Sequence, residues 1–248
     1  MRRRRRNVRL TIQYEGTAYA GWQFQTNATS IQEMVESALR STLGEHVKVT
    51  ASGRTDAGVH ALAQAANFRT RSRLPLANIQ KALNSRLPKD IVISRIEEAG
   101  PSFDSQHDAR YKLYRYTIVN NDFTSPFLRR FASRCFHKLD TAVMRREAKL
   151  LVGRHDFRSF QAVDGQERKT IKTVRSIKIK RSGDVITVDI EADGFLYNMA
   201  RTIVGTLIEV GRGKLEPGSV KEMLRKRDRR CCGPTAPAKG LCLIKVTY

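Results

Sequence analysis

One carboxylate in the chain stands in a setting that suits chemistry: Asp56 follows Arg54 and lies between Gly53 and Gly58. Flanking glycines let the backbone turn and let a bulky ligand approach closely. An aspartate on such a loop can serve as a nucleophile or a base, and a neighbouring guanidinium keeps it ionised. The same residues also fit a tight turn in which Asp56 bonds only to its own backbone. The loop alone does not separate these two interpretations.

The remaining chemical motifs are weaker. The segment 211–214 (GRGK) suggests a phosphate-binding loop, but Ile208 stands where the first glycine belongs, and Leu215 replaces the Ser or Thr that holds magnesium. The sequence also lacks H-E-x-x-H and G-x-S-x-G. Its four cysteines form no C-x-x-C pair, and Cys135 beside His137 fits ordinary burial better than a metal site. We therefore expect no metal and no nucleotide cofactor.

The balance of charge points to a polyanionic partner. The 248 residues include 46 Lys and Arg against 24 Asp and Glu, which gives a net charge of +22. The run Arg2–Arg6 supplies only five of these charges, so the excess belongs to the folded body and predicts salt-dependent binding of a polyanion. No apolar run approaches the ~18 residues of a membrane span, and the basic N-terminus lacks the apolar core of a signal peptide. We expect a cytoplasmic protein.

Hydrophobic periodicity predicts the elements that position the Asp56 loop. Apolar residues alternate over 8–12, as in a half-buried strand, and Ser30 with Glu33 forms a capping box before a helix that Gly44 ends. The other elements expected in this half are a strand near 47–52, an apolar segment over 62–68, a helix opening at Pro75 and a strand over 90–96.

A comparable series recurs in the second half. It comprises a strand over 112–120, a helix capped by Asp140, a hairpin over 177–190, a long helix over 196–208 and a final strand over 242–248. Two consecutive α/β domains, each a sheet with helices on one face, fit this order. The expected boundaries are a basic arm at 1–6, an N-terminal α/β domain at 7–98, a linker at 99–106 and a C-terminal α/β domain at 107–248.

Six segments, in order, resemble the motifs of the tRNA pseudouridine synthase A family. The Asp56 loop reads GRTDAGVHA, which is similar to that family's signature. The other segments are YEGTAYAGWQ at 14–23, KLYRY at 112–116, GRHDFRSF at 153–160, GFLYNMARTIVGTLIEVGRG at 194–213 and the ending over 236–248. The resemblance extends from residue 8 to the last residue. One departure is Phe103–Gln106 (FDSQ), where the family usually reads F-H-A-R, and it concerns local RNA contacts.

The resemblance implies an enzyme that isomerises uridine to pseudouridine in the anticodon arm of tRNA, at positions 38, 39 and 40. It also implies two mainly antiparallel α/β domains facing a central basic RNA-binding cleft, and a homodimer. Asp56 falls on the family's nucleophile, Tyr114 on the tyrosine that stacks on the target uracil, and Arg201 on an arginine that pairs with the catalytic aspartate. Arg54, Tyr114 and Arg201 are thus the expected substrate-binding residues.

This reaction needs little beyond such side chains. It breaks the N1–C1′ bond of uridine, turns the base and rejoins it through C5, so neither a cofactor nor a metal is required. A carboxylate can attack C1′ covalently or assist a glycal route, and the sequence does not choose between them. The base must leave its stack, which costs a few kcal/mol, and stacking on an aromatic face such as Tyr114 could return about 1–3 kcal/mol.

Several residues keep a structural interpretation on pattern alone. Tyr114 and Tyr116 share one face of a strand and fit core packing. Arg201 fits a solvated charge, while the pair at 155–156 fits a capped turn and His60 a structural position. The basic segments Arg2–Arg6, 168–181 and Lys221–Arg230 fit either RNA phosphates or a solvated face.

Two other functions stay open. One is a noncatalytic tRNA-binding or RNA-folding protein on the same scaffold, although such a protein need not keep the carboxylate of Asp56. The other is a synthase that acts at other tRNA positions, which the Gln106 region leaves open. A basic α/β protein that uses the Asp56 loop only as a turn is the structural alternative to both.

Overall fold

A computed structural model describes residues 5–162 and 169–248, and the chain divides into two compact units. The first comprises Met1–Arg110 with Leu243–Tyr248, and the second comprises Tyr111–Cys242. Both units combine helices with mostly antiparallel strands, so the predicted mixed α/β class is confirmed. Within the described ranges, no helix is both long enough and apolar enough to cross a membrane.

The first unit is a sheet with two helices. Its elements are β1 (Arg6–Tyr14), α1 (Ile31–Leu43), β2 (Val49–Ala51), β3 (His60–Thr70), α2 (Leu76–Arg86) and β4 (Ile91–Ala99). The strand β1 pairs antiparallel with β3 on one side and with β4 on the other, while β2 pairs with β3. The last strand of the chain, β10 (Leu241–Thr247), lies next to β3. The Asp56 loop therefore connects two neighbouring strands, β2 and β3.

Local sequence explains why the first unit forms. The alternating Val8, Leu10 and Ile12 are fully buried, as the strand pattern predicts. At the start of α1 the Ser30 side chain accepts a hydrogen bond from the Glu33 amide, and the Glu33 side chain accepts one from the Ser30 amide, so the capping box is confirmed.

The second unit contains a four-stranded antiparallel path and three helices. Its elements are β5 (Tyr111–Val119), β6 (Ser133–Arg134), α3 (Thr141–Leu150), β7 (Gly153–Asp156), β8 (Ile171–Ser182), β9 (Val185–Ala192), α4 (Met199–Gly211) and α5 (Ser219–Lys226). The strand order is β5-β9-β8-β7, and the short β6 pairs parallel with β5.

Polar contacts at the helix ends hold the helices of the second unit. The Asp140 carboxylate accepts hydrogen bonds from the Ala142 and Val143 amides, so the predicted cap of α3 is confirmed. On the same helix the buried Glu147 carboxylate accepts a hydrogen bond from the Gly218 amide at 2.7 Å. This contact ties α3 to the start of α5, a helix that the sequence analysis did not predict because only Val220 and Met223 are buried on it.

The first strand begins one residue earlier than the sequence analysis expected, at Arg6 instead of residue 7. Arg6 belongs to β1 rather than to an arm, because its guanidinium forms an ion pair with Glu98 and donates a hydrogen bond to the Leu74 carbonyl at 2.9 Å. Residues 1–4, and with them most of the predicted arm, lie outside the described residues. So does Arg168, the first member of the basic segment at 168–181.

The segment expected to be a linker, 99–106, packs within the first unit. The Asn7 side-chain amide donates hydrogen bonds to the carbonyls of Gly100 at 2.9 Å and Phe103 at 2.8 Å, and Ser105 is fully buried. The ring of Phe103 lies 5.0 Å from that of Tyr248, centroid to centroid. This contact and the position of β10 beside β3 explain why the last six residues belong to the first unit, whereas the sequence analysis placed them in the second. The departure at Phe103–Gln106 therefore has a packing role here.

Candidate active site

The entry to the Asp56 loop is fixed by a buried glutamine. The Ser52 hydroxyl donates to Gln64 Oε1 at 2.8 Å, and Gln64 Nε2 donates to the Gly53 carbonyl at 2.8 Å. Ser52 and Gln64 are both fully buried. At the other end the Val59 amide donates to the Asp56 carbonyl at 3.1 Å and closes the turn. The backbone of the loop is therefore held at both ends.

The segment 14–23 clamps the residues on either side of Asp56. The hydroxyls of Tyr14 and Thr55 lie 2.8 Å apart in a buried hydrogen bond, and the Trp22 amide donates to the Thr55 carbonyl at 3.0 Å. Beyond Asp56, the Gly58 amide donates to the Tyr19 carbonyl at 3.3 Å. Two motifs that lie more than 30 residues apart in the sequence thus form one rigid structure.

Two glycines of this clamp touch the loop backbone directly. Gly21 has φ +93°, and a Cβ there would lie 2.4 Å from the Thr55 carbonyl oxygen and 3.0 Å from the Asp56 carbonyl carbon. A Cβ at Gly16 would lie 2.0 Å from the Val59 carbonyl oxygen. The close approach needs glycine at both positions, and at Gly21 the backbone conformation needs it as well.

His60 is a structural residue of the same assembly. It is 3% exposed, and its Nδ1 accepts a hydrogen bond from the Gly16 amide at 3.0 Å. Because Nδ1 acts as an acceptor, the single proton of the neutral ring lies on Nε2. The contact holds the start of β3 against the clamp.

Asp56 and Arg54 occupy the outer part of this fixed loop. Asp56 is half-buried, Arg54 is exposed, and the intervening Thr55 is buried. The loop is thus anchored through the buried Thr55, and the residues on either side of it are more accessible. A carboxylate on a fixed backbone is suited to attack on an electrophilic carbon or to take up a proton.

Tyr114 and Tyr116 lie on one face of β5 in the second unit but have different surroundings. Tyr116 is fully buried, its hydroxyl donates to the Pro237 carbonyl at 2.8 Å, and burial raises its pKa to about 12. Tyr114 is 5% exposed and meets the ring of Phe195 edge-on, with centroids 4.9 Å apart. The sequence analysis did not single out Phe195, although it follows Gly194 in one of the six motif segments.

Arg201 is held in place rather than solvated. It lies in the first turn of α4, where its Nε donates to the Ala236 carbonyl at 2.8 Å and its Nη1 donates to Asn198 Oδ1 at 2.7 Å. The Ala236 amide donates in turn to the Arg201 carbonyl at 3.1 Å. The solvated alternative for Arg201 is therefore wrong, because the terminal segment and the cap residue of α4 fix its guanidinium.

The sequence analysis did not identify two lysines, Lys112 and Lys172, of which Lys112 lies close to Tyr114 on β5. Lys112 lies two residues before Tyr114 on β5 and is half-buried. Burial, and secondarily the charge of Lys172, lower the pKa of Lys112 to about 8. A Cβ at Gly194 would lie 3.5 Å from Lys172 Nζ, so Lys172 extends over the end of β9. No sequence pattern predicts such a shift, because it depends on pairing between strands.

The neighbouring residues His155 and Asp156, which we expected to be structural, form contacts within the fold. Asp156 Oδ1 accepts a hydrogen bond from the Arg158 amide at 3.1 Å, and the Asp156 carboxylate lies 3.3 Å from the Arg227 guanidinium. The ring of His155 packs edge-on against Phe157, with centroids 5.9 Å apart. Across residues 5–162 and 169–248, no three His, Cys, Asp or Glu side chains form a group that could hold a metal ion.

The site residues fall in both units. Asp56 and Arg54 share one loop of the first unit, while Tyr114 and Arg201 belong to the second. A carboxylate on a fixed backbone, in a chain with a net charge of +22, favours an enzyme that acts on a polyanionic substrate such as RNA.

Comparison with known proteins identifies the family. The family model described as tRNA pseudouridine synthase matches residues 10–111 and 148–248. Curated proteins named tRNA pseudouridine synthase A are 46% identical in Pelobacter propionicus, 45% in Geobacter sulfurreducens and 42% in Thermoanaerobacter sp., each over 98% of this chain and 100% of the relative. The chain therefore belongs to the tRNA pseudouridine synthase family, and it isomerises uridine to pseudouridine in tRNA.

The chain can also be superposed on a solved structure titled "Crystal Structure of a Cbf5-Nop10-Gar1 Complex". The match covers 96% of this chain and 58% of the chain in that structure, with 10% sequence identity and a TM-score of 0.36.

Proposed function

We propose that this enzyme modifies uridines in the anticodon arm of tRNA, at positions 38, 39 and 40, with Asp56 as the nucleophile. The observation that carries the proposal is the clamp around the loop: Thr55 is bonded to Tyr14 and Trp22, so Asp56 has little freedom to move. A nucleophile held in reacting geometry needs less reorganisation in the transition state.

Asp56 serves either route of the reaction. In the covalent route its carboxylate attacks C1′, the N1–C1′ bond breaks and the uracil leaves as an anion. After the base turns, C5 attacks C1′, the carboxylate leaves, C5 loses its proton and N1 gains one. In the glycal route the carboxylate instead removes the C2′ proton as the N1–C1′ bond breaks. C5 of the turned base then adds to C1′ of the glycal while the proton returns to C2′, and C5 loses its proton as N1 gains one. Both routes balance without an oxidant, a reductant or an external group.

The proposal assigns Arg54, Tyr114 and Arg201 to binding of the substrate. The exposed guanidinium of Arg54 suits a phosphate or an extruded base, and Phe195 holds the ring of Tyr114 in a fixed orientation. Arg201 has its guanidinium preset by Ala236 and Asn198, which favours charge-assisted contact with an anionic group. We also propose a homodimer that acts in the cytoplasm.

Mapping of modified uridines tests the site of action. Unmodified tRNA transcripts are incubated with enzyme, treated with a carbodiimide that marks pseudouridine, and read by primer extension. We expect stops that correspond to positions 38, 39 and 40, and none in transcripts that carry cytidine at those positions. Stops that persist elsewhere in the cytidine transcripts would assign the enzyme to another tRNA region.

Sedimentation equilibrium over a range of protein concentrations tests the homodimer. The chain has a mass of 28.1 kDa, so the proposal requires a species of twice that mass. A mass that stays at one chain up to micromolar concentration contradicts a stable dimer.

A further inference from the structure

Four phenylalanines of the second unit are exposed within one short segment. They are Phe123, Phe127, Phe131 and Phe136, with exposed fractions of 70%, 89%, 45% and 61%, and we call them the phenylalanine patch. Exposed apolar surface on this scale usually marks an interaction site. None of the six motif segments includes these residues, and the catalytic proposal does not use them.

The backbone that carries the patch is ordered. The Asn120 side-chain amide donates to the carbonyls of Cys135 at 2.8 Å and His137 at 2.7 Å, and Arg134 Nη1 donates to the Asp122 carbonyl at 2.6 Å. The fully buried Ala132 anchors the middle of the segment. The phenylalanines are therefore displayed on a fixed scaffold, which lowers the entropy cost of binding through them.

The charges around the patch favour a polyanion. Arg129, Arg130, Arg134 and Lys138 are all exposed, while Asp122 is the only carboxylate between residues 122 and 138. Two carboxylates face the segment from other elements: Asp184, which accepts a hydrogen bond from Asn121 at 2.6 Å, and Glu209, which is paired with Arg212. A second copy docking through the same surface would bring these like charges together.

We infer that the phenylalanine patch binds unpaired nucleotides of the tRNA substrate, away from the reacting uridine. Proteins bind single-stranded RNA by stacking bases on aromatic rings and by placing arginines against the phosphates, and the patch interleaves both residue types. Duplex regions would contact only the arginines, because their bases are already stacked. The inference rests on tRNA as the substrate and deepens the proposed function by naming a second contact surface.

Alanine substitution tests the aromatic contribution. Phe127→Ala combined with Phe136→Ala should raise the Kd for a tRNA transcript about tenfold or more, since each stacked base contributes substantially to affinity. The matched control is Val152→Ala, an apolar residue of the same unit that is 40% exposed and lies outside the patch and the basic segments, and it should leave the Kd unchanged. At saturating tRNA, the patch variant should keep the wild-type kcat. An unchanged Kd in the patch variant overturns the inference.

Salt dependence separates stacking from phosphate contacts. Arg129→Gln should reduce the slope of log Kd against log salt by about 0.7, the value for one phosphate of a single strand, whereas Phe127→Ala should keep the wild-type slope. The control is Arg146→Gln, an exposed arginine on α3, which should not change the slope. Equal slopes for Arg129→Gln and wild type would contradict the phosphate contact.

A fluorescent probe tests stacking directly. The only natural tryptophan, Trp22, is 3% exposed, so Phe127→Trp introduces an indole that dominates the accessible signal. Stacking of bases should quench the fluorescence of this indole as tRNA is added. The quenching should level off at a ratio of tRNA to protein that matches the oligomeric state found by sedimentation equilibrium. Duplex RNA of equal length should quench the indole less. An emission that is unaffected by tRNA but shifts with protein concentration would assign the patch to self-association. Failure of the catalytic proposal would appear instead as absent pseudouridine with this quenching intact.

Discussion

Replacement of Gly21 by alanine would test whether the clamp positions Asp56. Gly21 combines a positive φ of +93° with close approach to the loop, since a Cβ would lie 2.4 Å from the Thr55 carbonyl oxygen. Real Cβ contacts essentially never fall below 3.0 Å, so the loop or the glycine must move by about 0.6 Å. The backbone strain adds about 1–3 kcal/mol of instability.

The expected kinetic effect follows from this displacement. A misplacement of about 1 Å at a catalytic group can cost about 100-fold in rate, so we expect Gly21→Ala to lose about 10- to 100-fold in kcat/KM. The assay is the initial rate of tritium release from tRNA that carries 5-tritiated uridine. Denaturant unfolding of the same preparation gives the loss of stability, so the rate can be expressed per folded molecule.

Gly44→Ala provides a matched control within the same unit. Gly44 also has a positive φ, +68°, but a Cβ there would meet no atom within 4 Å. This variant should lose about 1 kcal/mol of stability as a helix C-cap and keep its activity. Activity of Gly21→Ala within about threefold of Gly44→Ala would refute the claim that the clamp sets the position of Asp56.

Two further substitutions probe the second unit. Lys112→Met should raise the unfolding temperature at pH 7, because burial disfavours the charged ammonium of Lys112. The pKa of Lys112 is about 8 in the folded protein and 10.5 ordinarily, so the stability of the wild type rises as the pH increases between these two values. The difference in unfolding temperature between the variant and the wild type should therefore close as the pH approaches 10.5. A gap that is constant with pH would contradict this explanation. Glu147→Gln should cost about 1–3 kcal/mol in urea unfolding, because the amide cannot accept from both the Gly218 and Val220 amides, whereas the exposed Glu216→Gln should be neutral.

Local signals predicted those elements whose stabilising contacts lie close in sequence. The capping box of Ser30 and Glu33, the cap at Asp140 and the alternation over 8–12 each involve residues within a few positions of one another. The helix α5 was missed because basic residues surround its two buried positions, Val220 and Met223. Its start depends on Glu147, which lies 71 residues before Gly218 and has no local signature.

The site shows the same division between local and distant contacts. The spacing of Arg54 and Asp56 can be read directly from the loop. The bond between Tyr14 and Thr55 spans 41 residues, and the contact from Arg201 to the Ala236 carbonyl spans 35. Such contacts depend on the tertiary fold, so no periodicity in the sequence could predict that Arg201 is fixed rather than solvated.

The central claim is that the Asp56 carboxylate carries the isomerisation of uridine in tRNA, as the nucleophile on C1′ or as the base of the glycal route. Tritium release from 5-tritiated uridine in tRNA reports this reaction itself, because the C5 hydrogen must leave before the product forms. We predict release by the wild type and none above background by Asp56→Asn, with the Kd for tRNA within a few fold because the phosphate contacts remain. Release by Asp56→Asn at a rate near that of the wild type would contradict the claim.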